Sequence, residues 1–213
     1  MDREISLHIH AILGVLVFIT GCLQILLKKS GVTHRVIGQV YLYSWLFILI
    51  SGAYLGGPTM TIVGLFGFYF ALTGARIGRL KTKGPAKFEK IIFSIGVLIS
   101  LAMLGYSVAL YMKGNTSFST VFGVFGLIFL FTTVSDIFKY ILHKPLKKQI
   151  YGKQDWYFEH IIRMSISFIA AVTAFASIQN VFQNNTVNFL LPTLIGVILI
   201  SLAIKSYKKK LLK

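Results

Sequence analysis

Seven apolar runs of about 20 residues, broken only by short polar connections, constrain this chain more than any other feature. A helix needs about 20 apolar residues to cross the hydrocarbon core of a bilayer. The runs cover residues 5–27, 36–55, 59–78, 91–112, 118–138, 156–178 and 189–206. Gly56, Gly57 and Pro58 separate the second run from the third. Gly84-Pro85, Gly114-Asn115 and Pro145 mark other turns, and residues 180–188 form a polar connection. With 55% hydrophobic and only 13% charged residues among 213, the chain carries more apolar surface than water can host. The expected fold is all-α: a single polytopic membrane domain, 1–213, of seven transmembrane helices. The first run is too long for a signal-peptide core and lacks a basic leading region and a cleavage site, so it is expected to remain in the protein.

A formal charge of +16 would suggest nucleic acid as partner in a soluble protein. Here the Lys and Arg residues fall almost wholly between apolar runs, which makes them a topology signal and argues against nucleic acid. The first, third and fifth connections and the tail hold 19 of them; the N-terminal segment and the other connections hold 2, Arg3 and Lys113. Arg163 lies within the sixth run. Basic connections stay in the cytoplasm, so the expected topology has the N-terminus outside and the C-terminus cytoplasmic, multi-pass in a bacterial inner membrane. The lipid bilayer is then the expected partner. Cys22 is the single cysteine, so neither an intrachain disulfide nor a multi-cysteine metal site can form.

Two sequence patterns recur. Phe66-Gly67 followed by Thr73 returns as Phe125-Gly126 followed by Thr132, and Phe88-Glu89-Lys90-Ile91-Ile92 returns as Phe158-Glu159-His160-Ile161-Ile162. The third and fourth spans thus read as a copy of the fifth and sixth, in the same orientation. The first two are candidates for a third copy, with His34 in the place of Lys90 and His160. Chance similarity between apolar segments is the competing explanation. Repeats in membrane proteins often place a site at their interface. Small residues at helical spacing, such as Gly64, Gly67, Ala71, Gly74 and Gly78, are read as packing stripes.

Polar groups within a span are costly and therefore candidates for function. His10, Gly14, Gly21 and Gln24 share one face of the first helix, while His8 lies about 200° from His10. The plain reading of His10 is a hydrogen bond to a neighbouring helix; the functional reading is a ligand or proton relay. At the basic end, His34 and Arg35 open the second span and Arg76 ends the third. Asp136 lies near the end of the fifth, and Glu159, His160 and Arg163 open the sixth. Asp136 reads as the one carboxylate inside a span, with Arg163 or Arg76 as its expected partner. The plain reading of the arginines is binding to lipid phosphates or to Asp136, with His34 in the headgroup layer. The expected site brings Asp136, His160, Arg163, Arg76, His34 and Arg35 together near the basic end. His10 and Gln24 would line the same interior further out.

Several functions fit such a site. One is transport or relay of a proton, an ion or a small molecule. A second is a redox protein holding one b-type haem between His34 and His160, the only two histidines able to face each other. His10 stands about 17 residues, roughly 25 Å, from the far end of its helix and cannot join them. A zinc hydrolase would have to use His34, Asp136 and His160. A non-catalytic assembly or lipid-binding module is the remaining class. No serine elbow, metalloprotease helix motif or phosphate-binding loop names a reaction. Asn115-Thr116-Ser117 and Asn184-Asn185-Thr186 match the glycosylation pattern.

At these residues the chain resembles a family of bacterial integral membrane proteins designated only as domain of unknown function 2306. The resemblance covers most of the chain. It is carried by His10-x-x-x-Gly14 with Gly21 and Gln24, by His34-Arg35-x-x-Gly38 with Tyr41, by Thr73-Gly74-x-Arg76, and by Asp136. It continues in His160-x-x-Arg163-Met164, in Ala170-Ala171-x-Thr173-Ala174-Phe175, and in Leu191-Pro192-Thr193 with Gly196. Gln39 stands where a basic residue is expected. The resemblance implies a shared membrane fold and a shared site around these His and Arg positions, and no particular reaction.

Overall fold

The computed structural model describes residues 2–27, 31–146 and 154–211. They form six long apolar helices and no strand: α1 (Arg3–Leu26), α2 (Val32–Leu80), α3 (Lys87–Met112), α4 (Thr116–Asp136), α5 (Asp155–Ile178) and α6 (Asn185–Leu211). Each has the length and composition to cross a bilayer, so the chain is a multi-pass membrane protein. The helix starts follow local chemistry. Asp2 accepts a hydrogen bond from the Glu4 amide at 3.2 Å, Asn115 from that of Phe118 at 3.3 Å, and Asn184 from that of Val187 at 3.1 Å. Each side chain thereby satisfies an amide that a first helical turn leaves unpaired. The two asparagines of the glycosylation pattern thus serve as helix caps.

The second and third apolar runs form one assigned helix of 49 residues, α2, where the sequence predicts two separate ones. A straight helix of that length would reach about 73 Å, more than twice a bilayer core. It does not run straight. Gly57, just before Pro58, has φ 60° and ψ −153°, a conformation essentially confined to glycine. Beyond it the chain doubles back. A Cβ added to Gly67 would overlap the Trp45 ring, and one on Gly64 would meet Leu49 at 2.9 Å. In a straight helix, residues 45 and 67 would lie about 33 Å apart. Residues 32–56 and 58–80 are therefore two antiparallel arms. At the other termini, α4 continues into a π-helical turn, Ile137–Ile141, and α6 begins at Asn185 rather than 189.

Packing follows the small-residue stripes. Gly21 of α1 faces Phe168 of α5, Gly74 in the second arm of α2 faces Arg163 and Met164, Gly126 of α4 faces Leu104 of α3, and Gly196 of α6 faces Ile169. Lipid supplies no hydrophobic drive between helices, so backbone proximity over such residues supplies the contact. Large aliphatic residues point outward instead: Ile12, Leu98 and Leu202 are all more than half exposed. Between the second arm of α2 and α4 sits a block of rings, Phe66, Tyr69, Phe70, Phe125 and Phe129, with centroids 4.8–5.7 Å apart. Edge and tilted contacts of this kind contribute about 0.5–1.5 kcal/mol each beyond burial.

Candidate functional site

Among the described residues the basic end holds three acid–base pairs, and each links two helical segments. Arg163 of α5 binds Asp136 at the end of α4, and the two residues are 5% and 4% exposed. Tyr69 donates its hydroxyl to the second Asp136 oxygen at 3.1 Å, and Arg163 Nη1 donates to Thr73 Oγ1 at 3.1 Å. The Phe93 ring lies 5.9 Å from the guanidinium carbon. This pair is thus desolvated and hydrogen-bonded at both ends. Such pairs are weak sources of net stability when intact but costly to break, because the remaining charge is stranded.

Arg76 does not reach Asp136. Its Nε donates to Glu89 Oε1 at 2.6 Å, while the Ala86 amide donates to Glu89 Oε2 at 2.9 Å. Glu89 is 2% exposed, so Asp136 is not the sole carboxylate buried in a span. The third pair joins Lys139 to Glu159, whose other oxygen accepts the Tyr140 hydroxyl at 2.5 Å. Glu89 and Glu159 occupy matching places in the sequence repeat, and each binds a base that precedes it in the chain. That correspondence is the signal by which Glu89 could have been found. Tyr69 and Tyr140 carried no such signal, since aromatic residues are common in spans.

The histidines meet separately. The rings of His34 and His160 stand 6.4 Å apart between centroids, with planes at 71°. His160 Nδ1 donates to the Gly74 carbonyl at 2.8 Å, because a carbonyl oxygen can only accept. This orients the ring. The ring lies in a notch on α2: a Cβ at Gly78 would approach Nδ1 to 2.6 Å. Gln24 donates Nε2 to the His34 carbonyl at 2.7 Å, so Gln24 lies at the level of His34 rather than further out. Arg35 is exposed beside it. His10 lies at the opposite end and donates Nδ1 to Ser51 Oγ at 2.8 Å, since that hydroxyl is itself donated to the Phe47 carbonyl. The plain reading of His10, a bond between helices, accounts for it.

The structure therefore divides the expected cluster in two. Asp136 and Arg163 form one unit and His34 and His160 another, while Arg76 belongs with Glu89, Arg35 faces outward and His10 stands apart. Among the described residues no three His, Cys, Asp or Glu side chains are arranged to hold a metal ion, so the zinc trio of His34, Asp136 and His160 is not assembled. No family model, curated protein or solved structure matches the chain.

Proposed function

We propose that the chain is a seven-span protein of the bacterial inner membrane, N-terminus outside and C-terminus cytoplasmic, which holds a small ligand at the His34/His160 pair on its cytoplasmic side. The two opposed arms of α2 support a count of seven crossings, and the distribution of Lys and Arg supports the orientation. The observation that carries the reading is the meeting of two imidazoles 126 positions apart in sequence, one of them oriented by a backbone carbonyl. Glu89, Asp136 and Glu159 are each committed to a base, which turns attention to the imidazoles for chemistry. The resemblance to the unknown-function family is consistent with this reading, through the shared His and Arg positions.

Topology is tested by single cysteines in a Cys22→Ser background. Cysteines at 115 and 184 are expected to react with a membrane-impermeant maleimide in intact cells, and one at 83 only after lysis. The reverse pattern would invert the topology. Ligand binding is tested by native mass spectrometry of protein extracted in mild detergent. The wild type is expected to carry mass beyond the polypeptide and its lipids that His34→Ala and His160→Ala both lose. A bare wild-type chain would end the ligand reading.

A further inference from the structure

We propose that the basic end carries a binding surface for anionic phospholipid, formed where the turn Lys81–Lys83, the start of α5 and the end of α6 meet. The inference stands apart from the His34/His160 reading and does not depend on which compartment the basic end faces.

The charge balance calls for an anion. Of the 19 Lys and Arg residues in the basic connections and tail, Arg76 and Lys139 bind Glu89 and Glu159, while Arg163 of α5 takes Asp136. Asp2 and Glu4 lie at the opposite end, so Asp155 is the one acidic side chain left for all the other cations. The excess sits where the helices leave the hydrocarbon, at the height of the lipid phosphates. Negatively charged headgroups are held in that same plane and are drawn to such clusters. A zwitterionic headgroup brings its own cation, which this excess repels.

The local geometry supplies a place for the headgroup. Lys81 Nζ lies 5.9 Å from the centre of the Trp156 ring, in the first turn of α5. Trp156 neighbours Tyr157 at 5.8 Å between centroids, and Tyr157 meets Tyr207 of α6 at 6.2 Å. All three rings are partly exposed. Trp and Tyr join an apolar body to a polar edge and settle at headgroup level. The end of α2 brings exposed Arg79, Lys81 and Lys83 to this rim, and α6 brings exposed Lys205 and Lys209. The lysine ammonium is a compact point charge suited to phosphate.

The face of α6 supplies a place for the acyl chain. Leu194, Ile198 and Leu202 are each more than half exposed, and Lys205 and Lys209 continue their spacing. At 100° per residue these five positions fall within about 80° of one another. From Leu194 to Lys209 the helix rises about 22 Å, close to one leaflet with its headgroups. An acyl chain lying along the aliphatic stripe therefore brings its phosphate to the lysines.

The test uses Trp156 as reporter, because Trp45, the other tryptophan, is buried. The full chain is placed in phosphatidylcholine nanodiscs containing brominated phosphatidylglycerol or, at equal mole fraction, brominated phosphatidylcholine. The expected result is stronger quenching by the phosphatidylglycerol, a difference that Trp156→Phe removes. Each Lys or Arg near an anionic surface strengthens binding about fivefold, so Lys81→Gln, Lys205→Gln and Lys209→Gln should each lower the preference by about that factor. Lys113→Gln, exposed at the opposite end, should leave it unchanged. Lys205→Arg with Lys209→Arg keeps the charge and should keep the preference, which separates a lost charge from a damaged fold. Equal quenching of the wild type by the two lipids overturns the proposal, as does a preference that survives the three Gln substitutions combined. Equal quenching together with a shift of Trp156 emission on adding soluble polyglutamate would assign the surface to an acidic polypeptide instead and likewise overturn it.

Discussion

Replacing Asp136 with alanine should lower thermal stability in detergent more than any other single polar substitution. Asp136 and Arg163 are buried against Tyr69, Thr73 and Phe93, so removing the carboxylate leaves a guanidinium with no counter-charge and no water. Breaking a buried pair from one side costs about 3–5 kcal/mol. That is a large part of a total stability of roughly 5–15 kcal/mol. Arg163→Ala should be comparably damaging. Asp136→Asn should be milder, because the amide oxygen still accepts from Tyr69 or Arg163. The double replacement Asp136→Leu with Arg163→Met should recover much of the loss, since hydrophobic groups of similar volume often substitute for a buried pair without penalty. A melting curve for Asp136→Ala within about 0.5 kcal/mol of wild type, as at an ordinary surface site, would show that the pair is not buried. Tyr69 and Thr73 hold this pair, whereas the Gly74 carbonyl holds the His160 ring.

Gly67→Val should be the most damaging apolar substitution. Its Cβ would overlap the Trp45 ring, which is buried at 3% exposure. Overpacking of this kind costs about 1–3 kcal/mol. Here the strain falls between the two arms of α2, so it bears directly on the reversal at Gly57. Gly67→Ala should show a smaller loss in the same direction, and Trp45→Phe in that background should relieve part of it by shortening the ring system. If Gly67→Ala melts like wild type, Trp45 does not lie on Gly67 and the arms of α2 are not opposed.

Much of the architecture is legible in the sequence alone. The apolar runs, their glycine, proline and asparagine boundaries and the small-residue stripes are local signals, and each corresponds to a helix, a turn or a contact. The boundary at Gly57 is the least direct of them. The sequence predicts a break there between two helices, and the structure makes it at one residue, Gly57, without an intervening loop. The φ and ψ of Gly57 and the approach of Trp45 to Gly67 and of Leu49 to Gly64 show the reversal. The set of expensive residues is also readable, because the penalty for a polar group in lipid depends on residue type and depth alone.

Partner choice is not readable. Asp136 has two candidate arginines, and Arg163 takes it while Arg76 turns to Glu89, which the sequence marks only as part of the repeated pattern. Gln24 is expected away from His34 and instead binds its carbonyl. Which side chains meet depends on the rotation and tilt of each helix, and these are set by packing between segments as distant as Gly74 and Arg163. The sequence by itself determined which segments enter the membrane and which residues cannot face lipid, since transfer from water to hydrocarbon is a property of each segment alone. The tertiary structure decided that the acids pair off and that His34 and His160 meet, because contacts between helices arise from the shapes of all their faces together and leave no periodic mark in the chain.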